Sequence, residues 1–321
     1  MNDSAGVFDE VRSLPDPTAA RRFEALVGLD TTKRHLLKEA RLLLDPKALE
    51  AWAERHHRSK PSILATFRDR PPLFIFAGDV GTGKTALAES FGDPIARELG
   101  VGVMLYCLSL TARGTGAVGQ MTTLLAGAFD EIRSVAKRSL GTSGKPKQAV
   151  VLLIDEADAL AQSREAAQMH HEDRAGVNAV IRGVDDLAAD GLPAIIVMCT
   201  NRLDALDPAV RRRAAATFLF ERPNDDQRQA ILTGALKELG LSSSDIARLV
   251  KLTGPTGTRA YGFTFSDLTQ RLLPAIILDA FPDAPVTADR AISTAQGMDP
   301  TPPFRGEHAD GVVHRADNGT G

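Results

Sequence analysis

Between residues 25 and 222, hydrophobic positions fall into short continuous runs separated by longer amphipathic segments. The five runs are residues 73–77, 102–109, 149–154, 194–200 and 217–220. Because these runs are apolar continuously and not alternately, they predict strands that are buried on both faces. The clearest helix lies between them, at 174–188, where apolar residues recur at three- and four-residue spacing. Strands that alternate with helices favour a parallel sheet with helices on both faces.

The pattern changes after Pro223, and no further run resembles a strand. Three amphipathic segments follow at 226–239, 244–252 and 265–280, and Pro274 is expected to kink the third or to mark its first turn. These segments predict a small all-helical domain over residues 223–282.

Both ends of the chain carry weak patterns. Residues 1–24 predict a short N-terminal segment, and residues 283–321 predict a flexible C-terminal tail, because both are poor in apolar residues. The α/β unit is therefore expected to span residues 25–222. No apolar run approaches the roughly 20 residues that span a bilayer, and no signal peptide is apparent, so we predict a cytoplasmic protein without membrane contact.

Composition excludes some classes of protein. Hydrophobic residues make up 43% and charged residues 25% of the chain, which excludes a protein that is disordered throughout. The formal net charge is −3, so the composition does not require a polyanionic partner such as DNA.

The segment after the first apolar run carries the strongest chemical signal. It reads Gly78-Asp79-Val80-Gly81-Thr82-Gly83-Lys84-Thr85 and matches G-x-x-x-x-G-K-[ST] between a predicted strand and a predicted helix at 86–99. The glycines let consecutive N–H groups turn toward phosphate oxygens, and the helix N-terminus adds positive charge. Lys84 is expected to reach the β- and γ-phosphates, and Thr85 to ligate Mg²⁺. The flanking strand and helix make a chance match in a glycine-rich turn the weaker interpretation.

An acidic pair follows the run 149–154. Asp155 is predicted to hold Mg²⁺ through its water shell, and Glu156 to polarise the hydrolytic water as a general base. Alone, the pair would fit a helix N-terminus equally well, but after a phosphate loop the catalytic interpretation is favoured. Asp158 fits a helix start better than a third catalytic carboxylate.

Two further groups lie at the ends of predicted strands. Asn201 follows the run 194–200 and is a candidate to hydrogen-bond the γ-phosphate or the attacking water, although asparagine is also common in turns. Arg211, Arg212 and Arg213 precede the last run. They fit either a solvated helix end or an arginine finger that reaches the γ-phosphate of a neighbouring subunit.

In this order, the motifs resemble those of the AAA+ ATPases. The opening segment Leu26-Val27-Gly28-Leu29-Asp30 also looks like the start of that family's domain, which packs by the adenine, and so Gly28 joins the expected nucleotide site. The resemblance covers about residues 25–282. It implies an α/β fold of the P-loop NTPase type, with a parallel sheet flanked by helices and followed by a small helical lid. It also implies ATP and Mg²⁺ as cofactors and a homo-oligomeric, hexameric ring.

Further motifs are similar to one branch of the family, the pachytene-checkpoint or thyroid-receptor-interactor type. They are Arg174-Ala175-Gly176-Val177-Asn178-Ala179-Val180-Ile181, with one extra residue before the valine, the segment 213–223, and Arg271-Leu272-Leu273-Pro274. This branch remodels HORMA-domain proteins, and its bacterial members stand beside a HORMA protein and a cyclic-nucleotide synthase in anti-phage signalling. The resemblance implies ATP-driven unfolding of a HORMA partner, which switches the synthase off.

The chain departs from the family in two places. The family's pore loop usually carries an aromatic residue, whereas the matching stretch 116–120 has Ala117 there, leaving Arg113, Met121 or a loop near His170-His171 as substitutes. The lid also lacks an obvious sensor arginine, and Arg271 lies about one helical turn from the matching place.

Two alternative functions stay open at this point. A DNA-linked AAA+ ATPase, such as a transposition or replication helper, would use a basic face at Arg211–Arg213 or Arg55–Lys60, but the slightly negative net charge argues against a nucleic-acid partner. A nucleotide-gated scaffold would not need hydrolysis, and the intact set of Lys84, Thr85 and Glu156 argues against it.

Overall fold

The structure is a computed structural model that describes residues 6–68, 70–110, 120–140, 146–162, 170–257 and 259–304. The strands are β1 (Glu10–Leu14), β2 (Leu73–Gly78), β3 (Gly102–Ser109), β4 (Gln148–Asp155), β5 (Ala194–Thr200) and β6 (Ala214–Phe220). The helices before β4 are α1 (Pro17–Ala25), α2 (Asp30–Leu44), α3 (Pro46–His57), α4 (Ala65–Arg68), α5 (Lys84–Ala88), α6 (Gly92–Leu99) and α7 (Gln120–Arg138). Those after β4 are α8 (Ala159–Gln162), α9 (His170–Ala189), α10 (Pro208–Arg211), α11 (Asp225–Leu236), α12 (Ser243–Thr253), α13 (Leu273–Ala280) and α14 (Ala288–Gln296).

The strands form one sheet in the order β1-β3-β4-β5-β2-β6. The five predicted strands are confirmed, and they run parallel to one another, as expected from their continuous apolar character. The strand β2 lies between β5 and β6, and β4 lies on the other side of β5. Consequently, the residues that follow β2, β4 and β5 meet at one edge of the sheet, where parallel α/β proteins bind their ligands.

The expectation of a weakly structured segment at 1–24 is wrong for its described part. The strand β1 pairs with β3 in antiparallel orientation, and Phe8 packs edge-on against Tyr106 with ring centroids 4.8 Å apart. The helix α1 follows, capped by the side chain of Asp16. An edge strand with mostly exposed side chains has no continuous apolar run, and this is why its pattern is weak.

Each face of the sheet is covered by a hydrophobic core. On one face, α7 and α9 pack through residues such as Leu125, Ile132 and Val180. On the other face, α2, α5 and α6 pack through Leu36, Leu87 and Ile95. These two cores fix the strand ends that carry the functional residues.

Helices after β6 enclose a third core, separate from the sheet. The segment Asp267–Leu272 is π-helical and leads into α13, where Pro274 lies in the first turn, as predicted. The predicted flexible tail is wrong for 288–296, because α14 buries Ala291, Ile292 and Ala295 in this core. Small apolar residues within a polar segment give little sequence signal. The rest of the predicted tail from residue 305 lies outside the described residues.

Across the described ranges, no helix combines the length and apolar character that crossing a membrane requires.

Candidate active site

The loop between β2 and α5 depends on its glycines. A Cβ at Gly78 would lie 2.1 Å from the carbonyl oxygen of Phe220, so only glycine lets β2 approach β6 this closely. Gly81 and Gly83 have φ angles of +72° and +97°, in the left-handed region that glycine adopts without steric cost. Leu26 lies against Gly83, which places the opening segment beside the loop. The loop therefore has a backbone shape that depends on glycine at these three positions.

Lys84 is the buried cation at the centre of the site. Its Nζ donates to the carbonyl oxygens of Gly78 at 3.0 Å and Asp79 at 2.8 Å, and to Oδ1 of Asn201 at 2.9 Å. Burial lowers the pKa of Lys84 below its ordinary value of 10.5, because desolvation outweighs the attraction of nearby carboxylates such as Asp155. A multiply charged anion beside this ammonium would favour its charged form, so the site fits a phosphate chain.

Thr85 in the first turn of α5 and Asp155 at the end of β4 meet directly. The Thr85 hydroxyl donates to Oδ2 of Asp155 at 2.9 Å. One hydroxyl and one carboxylate are hard oxygen ligands, and Mg²⁺ is commonly held by such a pair together with phosphate and water oxygens. The donor set therefore fits Mg²⁺ at the same edge of the sheet.

Glu156 adopts an unusual backbone conformation. Its φ is +54°, a left-handed value that costs a non-glycine residue ~1–2 kcal/mol, and its N–H donates to Oδ1 of Asp155 at 2.8 Å. The Ser109 hydroxyl at the end of β3 donates to Oε2 of Glu156 at 2.8 Å. Strained backbone of this kind is found at functional sites, and Glu156 directly follows the predicted metal ligand Asp155.

Sequence reasoning did not single out Ser109, and gave Asp158 only a structural role. The carboxylate Oδ1 of Asp158 accepts from the backbone N–H of Asn201 at 3.2 Å and from the Thr200 hydroxyl at 3.4 Å. Asp158 precedes α8, as a helix-start residue would, but it also holds the residue that contacts Lys84. The feature that identifies Ser109 is its position, because Ser109 and Asp155 are paired in the register of the neighbouring strands β3 and β4.

A cavity of about 250 Å³ opens between the phosphate loop and the helical lid. Its lid wall includes Phe265, Ser266 and Gln270, and the Ser266 N–H donates to the carbonyl oxygen of Gly81 at 3.1 Å. Gly28 does not line this cavity. The carbonyl oxygen of Gly28 instead accepts from the side chain of Gln227 on α11 at 2.9 Å. Leu26, two residues before Gly28, does line the cavity.

The three arginines differ in their contacts. Arg213 makes a two-pronged ion pair with Asp185 on α9, at 2.7 and 3.0 Å. Arg211 and Arg212 are exposed, and their side chains form no ion pair or hydrogen bond with any described residue. Within the described chain, none of the three contacts Lys84 or Glu156.

The remaining candidates lie elsewhere or cannot be placed. Arg113 and Ala117 fall outside the described residues, and Met121, the second residue of α7, is partly buried against a core. The His170-His171 pair begins α9. Arg271 donates to Oδ1 of Asp267 at 2.6 Å and does not line the cavity beside the phosphate loop.

Comparison with known proteins finds a matching protein family and a similar bacterial protein. Residues 74–222 match the sequence profile of the family described as "ATPase family associated with various cellular activities (AAA)". The chain is 51% identical to the CD-NTase-associated protein 6 of Escherichia coli (strain MS 115-1), over 93% of this chain and 96% of the relative.

Two solved structures are also similar over nearly their whole length. A chain of the E. coli MS115-1 HORMA:CdnC:Trip13 complex is 50% identical with a TM-score of 0.85, covering 93% of this chain and 97% of that one. A Rhizobiales Trip13 is 44% identical with a TM-score of 0.73, covering 92% of this chain and 100% of that one.

Proposed function

Because this chain belongs to the CD-NTase-associated protein 6 family and carries an AAA ATPase domain, we propose that it hydrolyses ATP to remodel a HORMA-domain partner in anti-phage signalling. The observation that carries the chemistry is the meeting of Lys84, Thr85, Asp155, Glu156 and Asn201 at one sheet edge. Support for the partner comes from the similarity to a chain of the HORMA:CdnC:Trip13 complex.

Each residue has a distinct part in the proposed reaction. When bound, ATP supplies the phosphoryl group that is transferred to water, and Mg²⁺ neutralises charge on the phosphates. The glycine loop and Lys84 hold the phosphates, and Thr85 and Asp155 hold the metal. Glu156 accepts a proton from the attacking water, with its carboxylate oriented by Ser109. Asn201, fixed by Asp158, keeps its side-chain oxygen on Lys84.

We place the arginine finger within a homo-oligomeric ring, proposed to be a hexamer. Arg213 is engaged by Asp185 of its own chain, whereas Arg211 and Arg212 present free guanidinium groups next to it. A delocalised positive charge from a neighbouring subunit stabilises the charge that develops on the γ-phosphate. Arg211 or Arg212 is therefore the finger, and Arg213 supports the helix that presents it.

Single alanine substitutions separate these roles. We expect loss of the finger at Arg211 or Arg212 to lower kcat for ATP hydrolysis by about 10³-fold or more, with little change in ATP affinity. Arg213→Ala, which breaks an exposed ion pair, should have a much smaller effect. Steady-state phosphate release and equilibrium nucleotide binding measure the two quantities.

Mixing subunits then tests whether the finger acts between chains. A finger variant and a Glu156→Gln variant are each impaired alone, but a mixed ring contains some intact pairs of base and finger. Recovery of phosphate release on mixing supports action between chains. An unchanged, low rate in rings shown to be mixed contradicts it.

Capture of the partner tests the proposed function itself. The full-length Glu156→Gln protein, with ATP and Mg²⁺, should retain a HORMA-domain protein of the same organism on an affinity column, because the bound state cannot proceed through hydrolysis. Lys84→Ala, which should not hold ATP, is the matched control and is expected to retain much less. If neither protein binds the HORMA partner in any nucleotide state, the assignment of the partner is wrong.

A further inference from the structure

After α14, the chain turns back across the lid and is held at Asp267. The carboxylate of Asp267 accepts from the Thr301 N–H at 2.9 Å and from the Thr301 hydroxyl at 2.6 Å. It also accepts from the N–H of Thr264 at 3.0 Å and from Arg271 at 2.6 Å. Burial opposes ionisation of Asp267, but these hydrogen bonds together lower its pKa below the ordinary value of 3.8. Asp267 is therefore a charged, buried anchor within the lid.

Three residues further on, the chain reaches the phosphate loop. The Phe304 N–H donates to Oδ1 of Asp79 at 3.1 Å. The other oxygen of Asp79 accepts from Nε of Arg222 at 2.8 Å, and Arg222 also donates to the lid's Gly262 carbonyl at 2.6 Å. The guanidinium of Arg222 lies 5.0 Å from the centre of the Tyr261 ring. The Asp79 carboxylate thus holds Arg222, which follows β6, and the C-terminal segment, and Arg222 in turn contacts the lid.

We propose that residues 300–304 form a tie that fixes the helical lid against the phosphate loop, with Asp267 and Asp79 as its two anchors. Ser266, one residue before the anchor Asp267, contacts Gly81 of the loop, and the Thr264 N–H donates to the same anchor. The tie therefore holds the lid wall of the 250 Å³ cavity in place before a ligand arrives. A wall that is ordered in advance reduces the cost of binding.

Hydrogen bonds to carboxylates are stronger than those between neutral groups, so a few of them are enough to hold a short segment. The proposal of a tie rests on the proposed function in one respect, which is that the cavity binds ATP. Its residues position the lid and do not contact the reacting groups. The prediction is that loosening the tie moves the lid and weakens nucleotide binding, while the residues that carry out hydrolysis stay in place.

A backbone substitution at Phe304 tests the contact to Asp79. Phe304→Pro removes the N–H that donates to Asp79, whereas Phe304→Ala keeps it and removes only an exposed ring. In the nucleotide-free full-length protein, hydrogen–deuterium exchange of amides at 78–82 and 262–267 should be about three- to tenfold faster in the proline variant. The alanine variant should match the unaltered protein.

Binding provides the second readout. The Kd for a fluorescent ATP analogue should rise about three- to tenfold in Phe304→Pro and stay near the starting value in Phe304→Ala. Thr301→Val removes the hydroxyl that donates to Asp267 and should raise the Kd to a similar extent, whereas Thr301→Ser keeps the hydroxyl and is the control. This pair replaces the proline variant if that variant does not fold.

The proposal is overturned if the exchange of the loop and lid is the same in Phe304→Pro and Phe304→Ala, or in Thr301→Val and Thr301→Ser. Faster exchange with unchanged ATP affinity overturns the claim that the tie prepares the cavity. Absence of ATP binding by the unaltered protein, with the exchange pattern as expected, is instead a failure of the proposed function.

Discussion

Glu156→Gln should lower kcat for ATP hydrolysis by about 10²–10⁴-fold, because an amide cannot accept the proton from the attacking water. The substitution keeps the shape of the side chain and an oxygen that accepts from Ser109. ATP affinity should therefore stay within about twofold of the starting value, since Glu156 makes no contact with Lys84 or Thr85. Phosphate release under saturating ATP and Mg²⁺, together with equilibrium binding of a fluorescent ATP analogue, measures both effects.

A matched control uses a carboxylate outside the site. Glu89 directly follows α5 and pairs with Arg22, so Glu89→Gln changes the same functional group without touching the proposed base. Its rate should be close to that of the unaltered protein. A Glu156→Gln protein that turned over ATP at the normal rate would show that another group activates the water.

Lys84→Ala should raise the Kd for ATP by about 10²-fold or more, because it removes the one buried ammonium that the loop aims at the phosphates. Hydrolysis should disappear with binding. The net effect on folding should be small, because removal of an ammonium that is costly to bury offsets the loss of a donor for the carbonyl oxygens of Gly78 and Asp79 and for Asn201. Isothermal titration with ATP and Mg²⁺ measures affinity, and thermal unfolding of the nucleotide-free protein checks the fold.

Lys137, which pairs with Asp190 on the surface, provides the control for loss of a lysine. Lys137→Ala should bind ATP normally. If Lys84→Ala also bound ATP normally, the nucleotide would lie elsewhere in the chain.

The site residues that could be predicted from the sequence are those that directly follow a predicted strand and carry a side chain suited to phosphate or metal binding. Lys84 and Thr85 follow a buried strand at fixed spacing, and Asp155 directly follows the apolar run 149–154, so the parallel sheet alone brings these strand ends to one edge. The contact between Lys84 and Asn201 follows from the same rule, because β2 and β5 are neighbours.

Other contacts depend on strand register and on long-range packing, which local patterns do not encode. Ser109 reaches Glu156 only because β3 and β4 pair with Ser109 opposite Asp155. The Phe304–Asp79 contact joins residues 225 positions apart, from segments that predict a tail and a loop. The strand β1 was missed for a related reason, since its side chains are mostly exposed and pairing with β3 provides much of its order.

The arginine cluster shows the same limit within a single motif. Three consecutive arginines are equivalent as sequence, and only the position of Asp185 on α9 separates Arg213 from its two neighbours. The sequence thus predicts that an arginine finger is present, while the packing of Arg213 against Asp185 indicates which of the three arginines can act as one.

A structure of the Glu156→Gln protein with ATP and Mg²⁺, determined as an assembled particle, tests the central claim most directly. We expect the γ-phosphate beside Lys84 and Asn201, the metal on Thr85 and near Asp155, and Arg211 or Arg212 of the adjacent subunit at the same phosphate. A nucleotide bound away from the loop 78–85, or a γ-phosphate out of reach of residue 156, would contradict the account.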